Sequence, residues 1–444
     1  MKMILPTLIL FLSVVNGLAL HIDINNHIVR QRHVKFSKGG EADPRTKGEN
    51  EPNFWHEKGL SELKTKLSRV QNNKIAKNVI LFLGDGMSVP TITAARVYLG
   101  QLNGNPGEET QLSFETFPHT GLSKTYCVNS QVADSACSST AYLSGVKGNI
   151  ETIGVTSDVE LSDCMGMMNQ TLRTHSIVEW AQEAGKGTGV VTTTAVTDAS
   201  PTGAYAHTAN RYWQSDTAIA LDVKDNPGQC DDIAKQLIMG YPGKNLKVVF
   251  GGGSEMFTPK EQTDSHGTVG QRSDKVDLIK QWEMEKQSRN ATGLYVYNRD
   301  QLLGLDIKTT DYVFGLFNSN NLQYHLDANA SLQPTLAEMT SVAIKMLQKE
   351  EKGYFLFVEG GLIDLGHHLN KAHKALDETA EFSKAVQVAM DLTSEDDTLI
   401  VVTADHAHTM TFNGYPRRGS DILNTVQEAD DGLPYPTLTY ANGP

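Results

Sequence analysis

Short apolar runs alternate with helix-like segments along most of this chain, and this alternation restricts the fold more than any other feature. Strand-like runs occupy residues 78–83, 189–193, 247–250, 354–358 and 398–402. Between them, residues 176–184 and 376–390 show the helical spacing of apolar side chains. The pattern predicts a three-layer α/β sandwich, in which helices cover both faces of a large, mostly parallel central sheet.

The 444 residues are enough for one large domain or for two to three smaller ones. No internal repeat, low-complexity tract or long linker follows residue 52, so we predict one domain over residues 53–444. Residues 18–52 are polar and charged, which predicts an N-terminal arm. Residues 1–17 have the pattern of a secretory signal peptide, with Lys2 before an apolar stretch and small residues near Gly17. A membrane anchor is the alternative, but the stretch is short for crossing a bilayer.

Charge and cysteine content narrow the partners and the compartment. The formal net charge of −13 disfavours nucleic acid and anionic membrane surfaces as main partners, because both repel an acidic protein. A signal peptide predicts an extracellular or cell-surface protein, in which Asn169, Asn290 and Asn329 head three candidate glycosylation triplets. The four cysteines lack the Cys-x-x-Cys spacing of zinc sites, so we predict one or two disulfide bridges instead.

Acidic residues follow three of the strand-like runs at the point where each run ends. Asp85 follows the first run between two glycines, Glu359 follows the fourth, and Asp405 follows the fifth together with His406 and His408. A single acid in such a place is more often a helix cap or a turn former. Ligands of open α/β sheets bind beyond the carboxyl ends of the strands, so three acids and two histidines there predict a shared metal cluster.

Asp364 and His368 lie four residues apart, which places them on one face of a helix. This spacing suits chelation, although an exposed helical ion pair is the alternative for these two residues alone. Carboxylate with imidazole suits zinc, and carboxylate with hydroxyl suits magnesium. The mixture of ligand types therefore allows both metals.

Ser135 stands among small residues before a helix-compatible run, where a helix starting at Ser135 would present amide groups to an anion. The alternative is that Asp134 or Ser135 only caps this helix. No convincing general-base histidine lies nearby in sequence, and zinc itself is able to activate a serine, so we favour a nucleophile. Arg211 follows the second strand-like run in a polar segment and is suited to clamping two phosphate oxygens; a solvated surface arginine is the alternative.

Five segments of the chain together resemble the alkaline phosphatase family, in the family's order. They begin at Phe82, Asp134, Gly203, Val358 and Thr403, and the similarity extends from about residue 55 to the last residue. The resemblance implies a phosphomonoester hydrolase with a phosphoserine intermediate, broad substrate range and an alkaline pH optimum. It also implies two zinc ions and one magnesium ion per subunit, and a homodimer.

The resemblance further implies a role for each matching residue. Ser135 is the nucleophile, Arg211 the phosphate clamp, and Asp134 the residue that steers the arginine. The implied ligands are Asp364 and His368 for the first zinc, with His408 close to it; Asp405, His406 and Ser135 for the second; Asp85 bridging the second zinc and magnesium; and Ser200 and Glu359 for magnesium, with Asp198 next to that site. Cys164 is implied to pair with Cys230, which leaves Cys127 and Cys137 for a second bridge that the sequence does not decide.

The chain departs from the family pattern in four places. The family supplies another ligand of the first zinc from a histidine nearer the C-terminus, so we expect a C-terminally shortened sequence with an incomplete first zinc site, impaired activity, and any lipid-anchor signal outside it. Asp198 stands where animal members commonly have histidine, which we expect to tighten magnesium binding. Leu365 replaces a polar residue near the first zinc. Asn318 and Gln333 replace carboxylates of an extra calcium site, which we therefore do not predict.

Two rival functions remain open at this point. A hydrolase of phosphodiesters or sulfate esters would use similar metals, although the Asp134–Ser135 pair and Arg211 favour monoesters. A catalytically silent surface protein would keep the fold as a binding platform. An acyl hydrolase is less favoured because Ser135 lacks the Gly-x-Ser-x-Gly turn.

Overall fold

A central sheet of seven parallel strands organises the computed structural model, which describes residues 48–224, 227–426 and 431–442. The predicted signal peptide, residues 1–17, and most of the predicted arm, residues 18–52, lie outside the described residues. The strand order is β4-β5-β3-β2-β6-β1-β7. The strands are β1 (Asn78–Gly84), β2 (Gly187–Ala195), β3 (Val248–Gly252), β4 (Gly293–Val296), β5 (Tyr312–Leu316), β6 (Tyr354–Gly360) and β7 (Thr398–Thr403).

Strand β1 lies between β6 and β7, and its side chains alternate between two separate hydrophobic clusters. Ile80 and Phe82 belong to the core on one face of the sheet, whereas Leu81 and Leu83 belong to the core on the other. A strand buried on both faces needs apolar residues at successive positions. This explains why residues 79–83 are a continuous apolar run. The predicted α/β sandwich is confirmed.

Helices cover both faces of the sheet. The longest, α13, lies against α2, α11 and α12. The α-helices are α1 (Pro52–Ser68), α2 (Val89–Leu102), α3 (Ser135–Ser144), α4 (Cys164–Met168), α5 (Ile177–Glu183), α6 (Ala199–Thr202), α7 (Asp216–Asp222), α8 (Ile233–Met239), α9 (Leu278–Ser288), α10 (Arg299–Leu303), α11 (Leu336–Leu347), α12 (Leu362–His368) and α13 (Ala372–Leu392). The segments predicted as helices correspond to α5 and α13.

Short strands also pair outside the central sheet. They are β8 (Met410–Phe412), β9 (Thr425–Val426), β10 (Tyr435–Pro436) and β11 (Leu438–Tyr440), of which β8 pairs with β11 and β9 with β10, both antiparallel. Two disulfides are present, Cys164–Cys230 and Cys127–Cys137, with Cα atoms 5.8 Å and 5.9 Å apart. In residues 48–224, 227–426 and 431–442, no helix combines the length and apolarity that crossing a membrane requires.

Candidate active site

The three acids predicted at strand ends lie at one edge of the sheet. Strands β6, β1 and β7 are parallel neighbours, so their carboxyl ends meet there. Asp85, Glu359 and Asp405 are all buried, with 5%, 1% and 3% of their surface exposed. Buried carboxylates need partners, since an isolated buried charge is costly. This edge of the sheet therefore holds the candidate active site.

Ser135 begins helix α3 at this edge and contacts two of the predicted metal ligands. Its hydroxyl donates a hydrogen bond to Asp85 Oδ1 at 3.3 Å, and its oxygen lies 3.3 Å from His406 Nε2. Asp134 caps α3, because its Oδ1 accepts from the backbone N–H of Cys137 at 3.1 Å. Asp134 is therefore the cap of α3, and the Ser135 hydroxyl is not used for capping but contacts Asp85.

Arg211 is held between two carboxylates beside this serine. Its Nη1 donates to Asp134 Oδ2 at 3.1 Å and its Nη2 donates to Asp198 Oδ1 at 3.3 Å. Burial lowers the pKa of Arg211, but the charges of Asp198 and Asp134 outweigh burial and raise it. The side chain is only 20% exposed, so this arginine is a fixed, permanent cation and not a solvated surface group.

One group of side chains that could hold a metal ion consists of Asp364, His368 and His408. Their ligand atoms all lie within 4.8 Å of one another. His408 Nε2 is 2.5 Å from Asp364 Oδ1, and His368 Nε2 is 3.4 Å from Asp364 Oδ2. Burial acts to raise the pKa of Asp364, but the hydrogen bond with His408 and the nearby imidazoles hold it below the ordinary value. His368 is exposed, which leaves the group open to solvent on one side.

A second group consists of Asp85, Asp405 and His406, again with ligand atoms within 4.8 Å. His406 Nε2 lies 3.4 Å from Asp85 Oδ1 and 3.4 Å from Asp405 Oδ2. The same nitrogen is 4.0 Å from Asp364 Oδ1, so the two groups adjoin. The Ser138 hydroxyl donates a hydrogen bond to Asp405 Oδ2 at 3.1 Å. Ser138 lies one turn after Ser135 in α3, and we did not single it out from the sequence.

A third group contains oxygen ligands alone. Ser200 donates to Asp85 Oδ2 at 3.2 Å, and Asp198 caps α6 just before it. Burial is the main cause that raises the pKa of Glu359 to about 8; the charge of Asp198 acts in the same direction, and the hydrogen bond from Thr192 opposes the shift. Burial also raises the pKa of Asp85 well above its usual range, with Asp405 as the next cause.

The donor set fits divalent cations. Four buried carboxylates, those of Asp85, Glu359, Asp364 and Asp405, converge here. Burial is the largest cause of the raised pKa values of Asp85 and Glu359, and the charges of neighbouring carboxylates act in the same direction. Bound cations would neutralise this negative charge. Gly86 has φ of 64°, and a Cβ on it would lie 2.5 Å from His408 Cδ2 and 3.0 Å from Asp364 Oδ1. Only glycine lets the backbone pass this close to the ligands. Cys127, Asp134 and Cys137 also lie close together, but both sulfurs are in a disulfide.

The positions that depart from the family pattern have local partners in the described chain. Asn318 Nδ2 donates to the carbonyl of Asn321 at 2.6 Å. Gln333 exchanges hydrogen bonds with the backbone of Gln323 at 2.8 Å and 2.9 Å. Leu365 packs against the main hydrophobic core. Each of these side chains is therefore accounted for by protein contacts.

The comparison with sequence families identifies the chain's relatives. The alkaline phosphatase family model matches residues 76–444. The membrane-bound alkaline phosphatase of Bombyx mori is 48% identical over 419 residues, which cover 93% of this chain and 76% of that protein. The tissue-nonspecific isozyme of Homo sapiens is 45% identical over 404 residues, which cover 89% of this chain and 76% of that protein.

Solved structures share the fold at lower identity. Alkaline phosphatase from the Antarctic bacterium TAB5 has a TM-score of 0.60 at 23% identity, covering 83% of this chain and 87% of that one. The Thermus thermophilus alkaline phosphatase has a TM-score of 0.61 at 24% identity, covering 78% and 63%. These two likenesses concern the fold, whereas the sequence matches concern the family. The chain belongs to the alkaline phosphatase family and is a hydrolase of phosphate monoesters.

Proposed function

We propose that this chain hydrolyses phosphate monoesters by transferring the phosphoryl group to Ser135 and then to water. The observation that carries the proposal is the position of the Ser135 oxygen, 3.3 Å from both Asp85 and His406, in a residue whose chain neighbour Asp134 binds the fixed cation Arg211. The serine also opens a helix of ten residues, whose N-terminal amides and dipole favour an anion.

Arg211 and the start of α3 bind and orient the phosphate dianion in this proposal. Asp134 and Asp198 each hold one terminal nitrogen of the guanidinium, which fixes the plane of the fork. A fixed fork binds two phosphate oxygens without losing side-chain entropy at the moment of binding. The same contacts stabilise the charge that spreads over the phosphoryl oxygens during transfer.

The reaction divides into two displacements at phosphorus. The Ser135 hydroxyl gives its proton to solvent, its oxygen forms a bond to phosphorus, and the bond from phosphorus to the alcohol oxygen breaks. The departing oxygen takes up a proton from solvent and leaves as the alcohol. The oxygen of a water molecule then forms a bond to the phosphorus of the phosphoserine while the bond from phosphorus to Ser135 Oγ breaks. The products are inorganic phosphate and the Ser135 hydroxyl, which regains a proton that the water releases. None of the residues identified here is assigned to the alcohol portion, so we propose a broad substrate range.

The donor types support two zinc ions and one magnesium ion. Zinc is assigned to the groups that contain imidazoles, Asp364/His368/His408 and Asp85/Asp405/His406 with Ser135, since zinc favours mixed nitrogen and oxygen ligands. Magnesium is assigned to Asp85, Ser200 and Glu359, with Asp198 adjacent, since magnesium favours oxygen. When bound, these ions supply Lewis acidity that lowers the pKa of hydroxyl groups and neutralises phosphate charge.

We also propose a glycosylated, exported homodimer. Helix α1 has no buried residue, and its large apolar side chains are 45% to 76% exposed: Trp55, Leu60, Leu63 and Leu67. We propose that a second copy of the chain packs against these side chains. Asn169, Asn290 and Asn329 are all exposed, as glycan attachment requires. Attachment to a membrane, which the name of the Bombyx relative states for that protein, is proposed to use a lipid anchor.

Trapping the phosphoserine tests the central step. Incubation with radiolabelled inorganic phosphate at acidic pH, followed by acid quenching and peptide mapping, should place the label on the peptide that contains Ser135. Ser135→Ala should abolish both labelling and turnover. Ser144→Ala is a matched control, because Ser144 lies at the other end of α3 and its hydroxyl contacts backbone groups, donating to the carbonyl of Thr140 and accepting from the N–H of Val146. Label on another residue, or unchanged turnover in Ser135→Ala, would refute the proposal.

A further inference from the structure

Three consecutive threonines, Thr192 to Thr194, lie near the carboxyl end of strand β2, and two of them contact the candidate magnesium ligand Glu359. We propose that they are positioning residues with separate tasks: Thr192 and Thr194 orient the magnesium ligand Glu359, and Thr193 orients the helix that carries the zinc ligands Asp364 and His368. This inference rests on the metal assignments proposed above and adds residues to which the reaction itself assigns no role.

Thr192 and Thr194 share one carboxylate oxygen. Thr192 lies directly across from Glu359 in the pairing of β2 with β6, and its hydroxyl donates to Glu359 Oε2. The Thr194 hydroxyl lies 3.3 Å from the same oxygen, and its backbone N–H donates to Thr192 Oγ1 at 2.9 Å. The carboxylate is therefore held by two buried hydroxyls that are themselves linked.

Thr193 reaches a different element. Its Oγ1 accepts from the backbone N–H of Gly361 at 2.9 Å and from that of Leu362 at 3.2 Å. These are the first amides of helix α12, which has no capping side chain of its own. The first amides of a helix lack partners within the helix, so a hydroxyl from another strand is an effective cap.

The cap decides where the zinc ligands lie because α12 is short. The helix has seven residues, and Asp364 is only two positions beyond Leu362. A shift of its first turn therefore moves the carboxylate directly. The register of β2 against β3 changes between Val191 and Ala195, so the threonines occupy an irregular stretch of the strand. Such irregularities re-aim side chains close to active sites.

A purely structural role makes a different prediction from a positioning role. Buried threonines in a sheet that only satisfy each other would, when changed, lower stability and affect all metals alike. Positioning residues would affect the metal whose ligand they hold and leave the other in place. Outer hydrogen-bond partners of metal ligands typically change metal affinity about 10- to 100-fold.

The test compares zinc and magnesium binding to the full chain after both metals are removed. Zinc affinity is measured by competition with a chromophoric chelator, and magnesium affinity by calorimetry on zinc-loaded protein. Thr193→Val should weaken zinc binding about 10- to 100-fold with magnesium within about twofold, and Thr192→Val should do the reverse. Thr193→Ser and Thr192→Ser keep the hydroxyl and should restore each affinity. Thr188→Val is the matched control, because Thr188 lies in the same strand and its hydroxyl accepts a hydrogen bond from the side-chain amide of Gln182.

The outcomes separate this proposal from the assignments on which it rests. Equal weakening of both metals in both variants, or changes no larger than those of Thr188→Val, would overturn the threonine roles alone. Failure of the serine variants to rescue binding would do the same. A wild-type chain that binds neither ion would overturn the metal assignments, and the threonine proposal with them.

Discussion

Removal of the Arg211 guanidinium should lower kcat/KM, and the size of the loss follows from the number of hydrogen bonds that the guanidinium has free for phosphate. The two terminal nitrogens carry two N–H groups each, and one on each nitrogen is used by Asp134 and Asp198. One N–H on each nitrogen therefore remains for phosphate. Hydrogen bonds to charged groups contribute about 1.5 to 3 kcal/mol each, so two correspond to about 3 to 6 kcal/mol, or roughly 10²- to 10⁴-fold in kcat/KM.

The assay is hydrolysis of a chromogenic aryl phosphate by Arg211→Ala, Arg211→Lys and the wild type, with metal content verified in each. Lysine keeps the charge but not the planar fork, so its loss should lie between those of wild type and alanine. Asp134→Ala should be milder than Arg211→Ala, because Asp198 still holds one nitrogen. A value of kcat/KM for Arg211→Ala within about threefold of wild type would refute the clamp.

Three further changes have directions that follow from single contacts. Gly86→Ala should abolish turnover and weaken zinc binding, because its Cβ would overlap an imidazole of the first group; calorimetric zinc affinity equal to wild type would contradict this. Burial raises the pKa of Glu378 from 4.5 to about 8, so the folded state favours the protonated carboxyl. Wild-type stability therefore falls as pH rises from 4.5 to about 8. The Tm difference between Glu378→Gln and wild type should grow in favour of the variant over this range and stay constant above it. A Tm difference that does not change with pH would refute this reasoning. Loss of Cys164–Cys230, with a sequence separation of 66, should cost about 4 kcal/mol in urea unfolding, and loss of Cys127–Cys137, with a separation of 10, about 3 kcal/mol; the reverse order would count against loop entropy as the cause.

The sequence predicted five of the seven strands of the central sheet and missed two neighbouring ones, β4 and β5. Residues 79–83 form a continuous apolar run because both faces of β1 are buried, and the segment 78–83 was recognised as a strand. Strand β4 was missed because it lies at the sheet edge, where Gly293–Val296 is half exposed and short. Strand β5 was also missed, since the run Tyr312–Leu316 is interrupted by a glycine.

The candidate site was recognisable in part because parallel strands end at a common edge. The acids Asp85, Glu359 and Asp405 could be grouped on that rule, and the structure brings them together with Ser135. The order β6-β1-β7 is not encoded in any local pattern, so the sequence alone did not say which acid adjoins which. The bracing of Arg211 by Asp198, 13 residues earlier, follows no local sequence pattern. The threonine contacts join residues 165 to 169 positions apart, so only the fold reveals them.

The central claim is that two imidazole-containing groups hold zinc beside the Ser135 oxygen. Anomalous diffraction at the zinc edge, from crystals of the zinc-loaded chain, tests it most directly. The account predicts one peak within about 2 Å of ligand atoms of Asp364, His368 and His408, and another within about 2 Å of those of Asp85, Asp405 and His406, with Ser135 Oγ at similar range. Absence of both peaks, or a Ser135 oxygen more than about 4 Å from the second, would contradict it.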